Sequence, residues 1–146
     1  MNARMWKSKA KLVARWLLAA LFVSIGIQHF TDPDPFVMIM PAFIPASWHV
    51  PLVLISGFFE IAGGVGVLIP VTRRWAGWGL LALLIAVFPA NINMLVNEIY
   101  LEGMPHEKWL LWARLPFQIV FAFWAAWVTG LWPRKKGGVS ASAEGP

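Results

Sequence analysis

Six polar side chains stand where the chain is otherwise hydrocarbon. They are Glu60 in LVLISGFFEIAGGVG, Asn91 and Asn93 in FPANINM, Arg114 and Gln118 in WARLPFQ, and His29 in GIQHF. A carboxylate or an imidazole takes and gives protons, a guanidinium fixes anions and polarised oxygens, and carboxamides both donate and accept. An ionised carboxylate in an apolar medium costs several kcal/mol or more unless it is protonated or paired. Arg114, with its long stem, is the natural partner for Glu60. These groups therefore admit two main readings. One is a buried ion pair, with Asn91, Asn93 and Gln118 as hydrogen-bonding glue between helices. The other is the lining of a pocket that binds a quinone-like or other small amphipathic ligand, or passes a proton, with Glu60 and His29 as the groups able to act on it. A third possibility is Arg114 reaching alone toward the membrane surface.

Other chemistries find less support. The chain contains no cysteine, which excludes thiolate metal sites, disulfides and thiol redox steps carried by the chain itself. His29, His49 and His106 are widely separated, and even with Asp32 and Asp34 they offer no metal-ligand spacing, so no metal is expected. Ser56 lies among glycines with no assignable base. Gly63, Gly64 and Gly66 sit in too apolar a run for a phosphate cradle; Gly57, Glu60 and Gly64 share one helix face, where small residues let a neighbouring helix come close. The net charge of +5 does not indicate nucleic acid, because the basic residues sit at the ends of apolar segments rather than along a groove-binding face.

Composition says what must position these groups. Of 146 residues, 59% are apolar, well above the usage of soluble domains. Four apolar segments are read at about 12–30, 50–71, 75–96 and 109–132, each long enough to cross hydrocarbon about 30 Å thick. WAGWGLLALLIAVF shows no polar face at helical spacing, which argues against a soluble bundle. The fold expected is an all-α, antiparallel four-helix membrane bundle (12–132) between a basic N-terminus (1–11) and a small, polar tail predicted to be disordered (133–146). If helices two and four start from the same side, Glu60 lies about 14 Å deep, Arg114 about 8 Å and Gln118 about 14 Å, the last two one turn apart on one face. Helix three brings Asn91 and Asn93 to the outer third and His29 ends helix one on that side, so the six groups are expected to converge on the outer half of the bundle.

Arg4, Lys7, Lys9, Lys11 and Arg15 precede or open helix one, Arg73 and Arg74 join helices two and three, and Arg134, Lys135 and Lys136 follow helix four. The first and third loops carry Asp32, Asp34, Glu98, Glu102 and Glu107 against the single Lys108. Positive-inside bias then puts both termini in the cytoplasm. Trp6, Trp16, Trp75, Trp109 and Trp132 near helix ends fit an interfacial belt. A cleaved signal peptide is disfavoured because QHFTDPDPF lacks a small-x-small site. The first loop, TDPDPFVMIMPAFIPASWHVP, is Pro-rich yet apolar, and is expected to fold over the outer end of the bundle as a short interfacial or re-entrant element. Pro89 and Pro116 are expected to kink their helices near the polar groups.

The strings GIQHFTDPDPFVMIMPAFIP, LVLISGFFEIAGGVGVLIPVTRRWAGWGLLALLIAVFPANINM and RLPFQ resemble the DoxX family of small four-helix membrane proteins. The likeness rests on His29-Phe30, Pro41, Pro45, Gly57, Glu60, Gly64, Pro70, Arg73, Ala76, Phe88-Pro89-Ala90-Asn91, Arg114 and Gln118, from about Leu18 to Trp127. The resemblance implies a bacterial inner-membrane protein from a functionally diverse family. Some relatives are the DoxD-type membrane subunit of a thiosulfate:quinone oxidoreductase, others accompany sulfurtransferase and superoxide dismutase, and distant ones assist receptor assembly in animals. A quinone role carried over would make Glu60, Asn91, Arg114 and Gln118 the head-group ligands, with electrons supplied by a soluble redox protein. The function expected first is a structural or accessory subunit of a membrane-associated complex. The alternatives are a quinone-linked oxidoreductase component and small-molecule transport or sensing; membrane lipid is the expected surroundings, and enzymatic activity and oligomeric state stay open.

Overall fold

The computed structural model describes residues 3–132, with side chains from Met5 onward. The predicted disordered tail and the side chain of Arg4 lie outside the described residues. Helix α1 covers Ala3–Thr31, α2 Asp34–Met38, α3 His49–Leu68, α4 Arg73–Val96 and α5 Lys108–Thr129, and a single 3-10 turn at Ala46–Trp48 leads into α3. Four of these, α1, α3, α4 and α5, are long and apolar enough to cross a membrane.

The ends of the helices follow local chemistry. Helix α1 starts well before the expected residue 12, because the ARMWKSKAK stretch ahead of Leu12 is rich in the good helix formers Ala, Arg, Met and Lys. Helix α3 stops at Leu68 rather than 71: Ile69 precedes Pro70, cannot comfortably stay helical, and turns extended at ψ 121°. The turn is then tied by the Thr72 hydroxyl, which donates to the Gly66 carbonyl at 3.0 Å. Helix α5 stops at Thr129 rather than 132 because Gly130 takes a left-handed conformation at φ 79°, letting Leu131 N–H bond back to the Ala126 carbonyl at 2.9 Å. Pro89 and Pro116 both lie inside their helices.

Glycine sets the closest packing. A Cβ on Gly57 would stand 2.6 Å from the Cβ of His29 and 2.8 Å from the Gly26 carbonyl, and one on Gly64 would stand 3.0 Å from the Ala19 carbonyl. Helices α1 and α3 therefore touch backbone to backbone along the Gly57–Gly64 face. Helix α3 also packs on α4 and α4 on α5, whereas α1 and α5 meet far less. The fully packed core, Leu18, Phe22, Val67, Leu80, Ala125 and Val128, gathers near the α3–α4 turn. Trp75, Trp78, Ile85 and Val96 of α4 and Phe117, Val120 and Phe123 of α5 are exposed, the pattern of a bundle whose solvent is lipid.

Candidate functional site

The half of the bundle away from that core is hollow. A cavity of about 750 Å³ opens among α1, α3, α4, α5 and the α1–α3 connection. His29, Glu60, Asn91, Arg114 and Gln118 line it, among aromatic and aliphatic side chains such as Phe22, Phe59 and Phe121. Five of the six polar residues singled out in the sequence are thus brought to one space. The sixth, Asn93, does not line it: its amide donates to the carbonyls of Ile39 at 3.0 Å and Met40 at 3.2 Å, holding the connecting loop against α4.

Glu60 and Arg114 are not paired. The glycine face of α3 that carries Glu60 is the face pressed on α1, so the carboxylate meets His29, not α5. Its Oε2 lies 3.4 Å from His29 Nδ1, while Oε1 accepts a long hydrogen bond from Ser56 Oγ at 3.4 Å. The His29 ring nitrogen is committed elsewhere, since Nδ1 bonds the Ile25 carbonyl one turn back at 2.8 Å. Oε2 of Glu60 is left buried without a hydrogen bond. Both residues are more than nine-tenths buried, at 5% and 7% exposure, so water offers that oxygen little compensation.

Across the cavity α4 and α5 are joined by carboxamides. Asn91 Nδ2 donates to Gln118 Oε1 at 2.9 Å, and Gln118 Nε2 donates to the Leu84 carbonyl. Arg114 directs Nη1 to the Met94 sulfur at 2.9 Å. A thioether is a weak acceptor and carries no countercharge, so the guanidinium keeps its charge available to the cavity.

The first loop closes one end. Phe36 of α2 stacks on the His29 ring at 3.8 Å between centroids, and the cavity wall continues through Ile39, Met40, Phe43 and Ile44. His49 pins this segment by bonding the Ile44 carbonyl at 2.8 Å. The three histidines do not converge: His106 stacks on Tyr100 in the α4–α5 connection. Among the described residues no three His, Asp or Glu side chains gather as metal ligands would.

Sequence reasoning missed Ser56 as a partner of Glu60, although their one-turn spacing on a helix could have suggested it. It also missed Gly26, the counterpart of Gly57 on α1; a lone glycine in an apolar helix was the available signal. Met94 and Phe36 gave none, because an apolar side chain in an apolar segment carries no mark of what it touches.

No curated protein and no solved structure matches the chain. Residues 18–129 match the family described as Domain of unknown function (DUF8561), and with most of its length covered, the helical domain that holds the cavity places the chain in that family.

Proposed function

We propose that this protein is a DoxX-like integral membrane subunit, its helices antiparallel and both termini cytoplasmic, that holds a quinone-type head group in the cavity for a partner carrying the redox centre. The observation that supports this most is the unsatisfied Oε2 of Glu60, a residue on the wall of a mostly apolar cavity of about 750 Å³. Buried polar groups are nearly always hydrogen-bonded, so a carboxylate on a cavity wall with one oxygen unpartnered suits a ligand hydroxyl. Glu60 then accepts a hydrogen bond from a quinol hydroxyl and takes one of its two protons when the head group is oxidised, the second proton passing with the two electrons to the partner. His29, 3.4 Å from the carboxylate, holds it in position to receive that proton. Arg114, with Asn91 and Gln118 beside it, faces a second ligand oxygen as donor. The electrons leave to the partner, since this chain has neither cysteine nor clustered metal ligands among its described residues. The test is native mass spectrometry of protein extracted gently from its own membrane, with released small molecules identified. A stoichiometric quinone lost in Glu60→Gln and Arg114→Gln supports the reading. Exchangeable phospholipid alone, equal in the variants, overturns it.

A second reading has its own observation. The Asn91–Gln118–Leu84 chain of hydrogen bonds joins α4 to α5 without any ligand, which is what a purely structural or accessory subunit needs from carboxamides. Under that reading the same experiment yields no quinone, and Gln118→Leu lowers the melting temperature as much with quinone present as without it.

A further inference from the structure

The other end of the bundle concentrates charge that the cavity does not use. Arg15 of α1 donates Nε to the Val128 carbonyl at 2.8 Å. Arg73, which opens α4, donates Nε to the Val67 carbonyl at 2.9 Å and Nη2 to the Leu68 carbonyl at 3.0 Å. Both guanidiniums are thereby fixed against the carbonyl-rich C-terminal ends of α5 and α3, where positive charge is favoured, and neither can swing into water without giving up those bonds. Lys11 lies one turn before Arg15 on the same face of α1, its ammonium 6.0 Å from the Trp127 ring centre. The three cations are near enough to repel one another. All three are half-buried, whereas Lys7, Lys9 and Arg74 are exposed.

None of the described carboxylates lies at this end: Asp32 and Asp34 follow α1, Glu60 is midway along α3, and Glu98, Glu102 and Glu107 join α4 to α5. The hydrogen bonds to backbone carbonyls engage Nε of Arg15 and Nε and Nη2 of Arg73. That leaves the terminal nitrogens of Arg15, Nη1 of Arg73 and the Lys11 ammonium as donors for an anion. Planar guanidinium forks beside an ammonium match the oxygens of a phosphate group.

Two further features favour a lipid as its source. An apolar groove of about 510 Å³ follows α1 past Trp6, Val13 and Leu17 and is walled by Trp124 of α5, one turn from Trp127. At about 1.5 Å per residue, the stretch from Lys11 to Thr31 spans about 30 Å, which sets Lys11 at head-group level when the remainder fills the hydrocarbon. We propose that Lys11, Arg15 and Arg73 clamp the phosphate of an anionic phospholipid, one acyl chain of which lies in the deeper part of the groove, against Val13, Leu17 and Trp124.

The full-length protein, purified in nanodiscs of phosphatidylcholine and phosphatidylglycerol, tests this by native mass spectrometry of retained lipid. The expected result is preferential retention of phosphatidylglycerol, reduced about fivefold by Lys11→Gln and by Arg73→Gln, and unchanged by Arg74→Gln. Added inorganic phosphate should leave it in place. Equal retention of both lipids overturns the clamp, as does an equal loss in Arg74→Gln, which would mark diffuse surface charge. Displacement by inorganic phosphate overturns the lipid assignment in favour of a free anion. Lys11 makes no backbone bond among those above, so Lys11→Gln carries the test even where Arg73→Gln melts early in phosphatidylcholine alone.

Discussion

The unpartnered oxygen of Glu60 is the most specific demand any side chain here makes on a ligand. Glu60→Gln replaces that acceptor with an amide that cannot take a proton. Expression and helix content should be retained, while proton release linked to quinol oxidation by a redox partner falls to background in a pH-indicator assay. Release equal to the unmodified protein, with ligand still bound, would end the carboxylate's assignment. Arg114 makes a different case. Its contact is a thioether, not Glu60, so Arg114→Gln should shift the melting temperature in detergent only slightly and weaken ligand binding about tenfold or more. A large loss of stability with ligand binding intact would show that Arg114 is structural. The sequence was informative about the depth of these residues but not their direction. Apolar surroundings and helix rise put Glu60, Asn91, Arg114 and Gln118 in the same half of the bundle; which neighbour each faced depended on Gly57 and Gly64 pressing α3 onto α1, a contact that needs Gly26 on the other helix.

Among the elements, helix contact and loop anchoring make separate predictions. Gly57→Ala puts a methyl group where the His29 Cβ and the Gly26 carbonyl already are, and should cost about 1–3 kcal/mol by forcing α1 off α3. Gly79→Ala meets nothing within 4 Å and should be neutral to stabilising by up to about 1 kcal/mol, the helix-propensity gain. Thermal unfolding of the two variants side by side decides it; similar melting temperatures would refute the close-contact account. Asn93→Ala removes the donor to Ile39 and Met40, so hydrogen exchange should speed up across the α2 segment and not in α5. The existence of the long helices was readable because apolar runs of bilayer length leave few alternatives, and their ends were misjudged where a single residue decides, at Pro70 and Gly130. A short element was expected in the first loop, but that it would be a helix at α2 was not readable, since the prolines disfavour long helices without saying where a short one forms.

For the molecule as a whole, the absence of cysteine makes topology directly testable. Single cysteines at Lys7, Arg74 and Glu102 should react with a membrane-impermeant maleimide in inside-out vesicles for the first two and from the opposite face for the third; labelling of all three from one face would refute the proposed crossing pattern. The distribution of basic residues is what suggests that pattern, but nothing in composition foretold that one half of the bundle is packed and the other hollow. The sparing contact between α1 and α5 bears on how any occupant of the hollow half arrives. A seam between two helices that faces lipid lets a greasy molecule pass sideways from the acyl chains to the cavity without ever being hydrated. For such a molecule the governing quantity is its mole fraction in the bilayer, so apparent affinity should follow the lipid-to-protein ratio, and diluting the vesicles with buffer should leave occupancy unchanged.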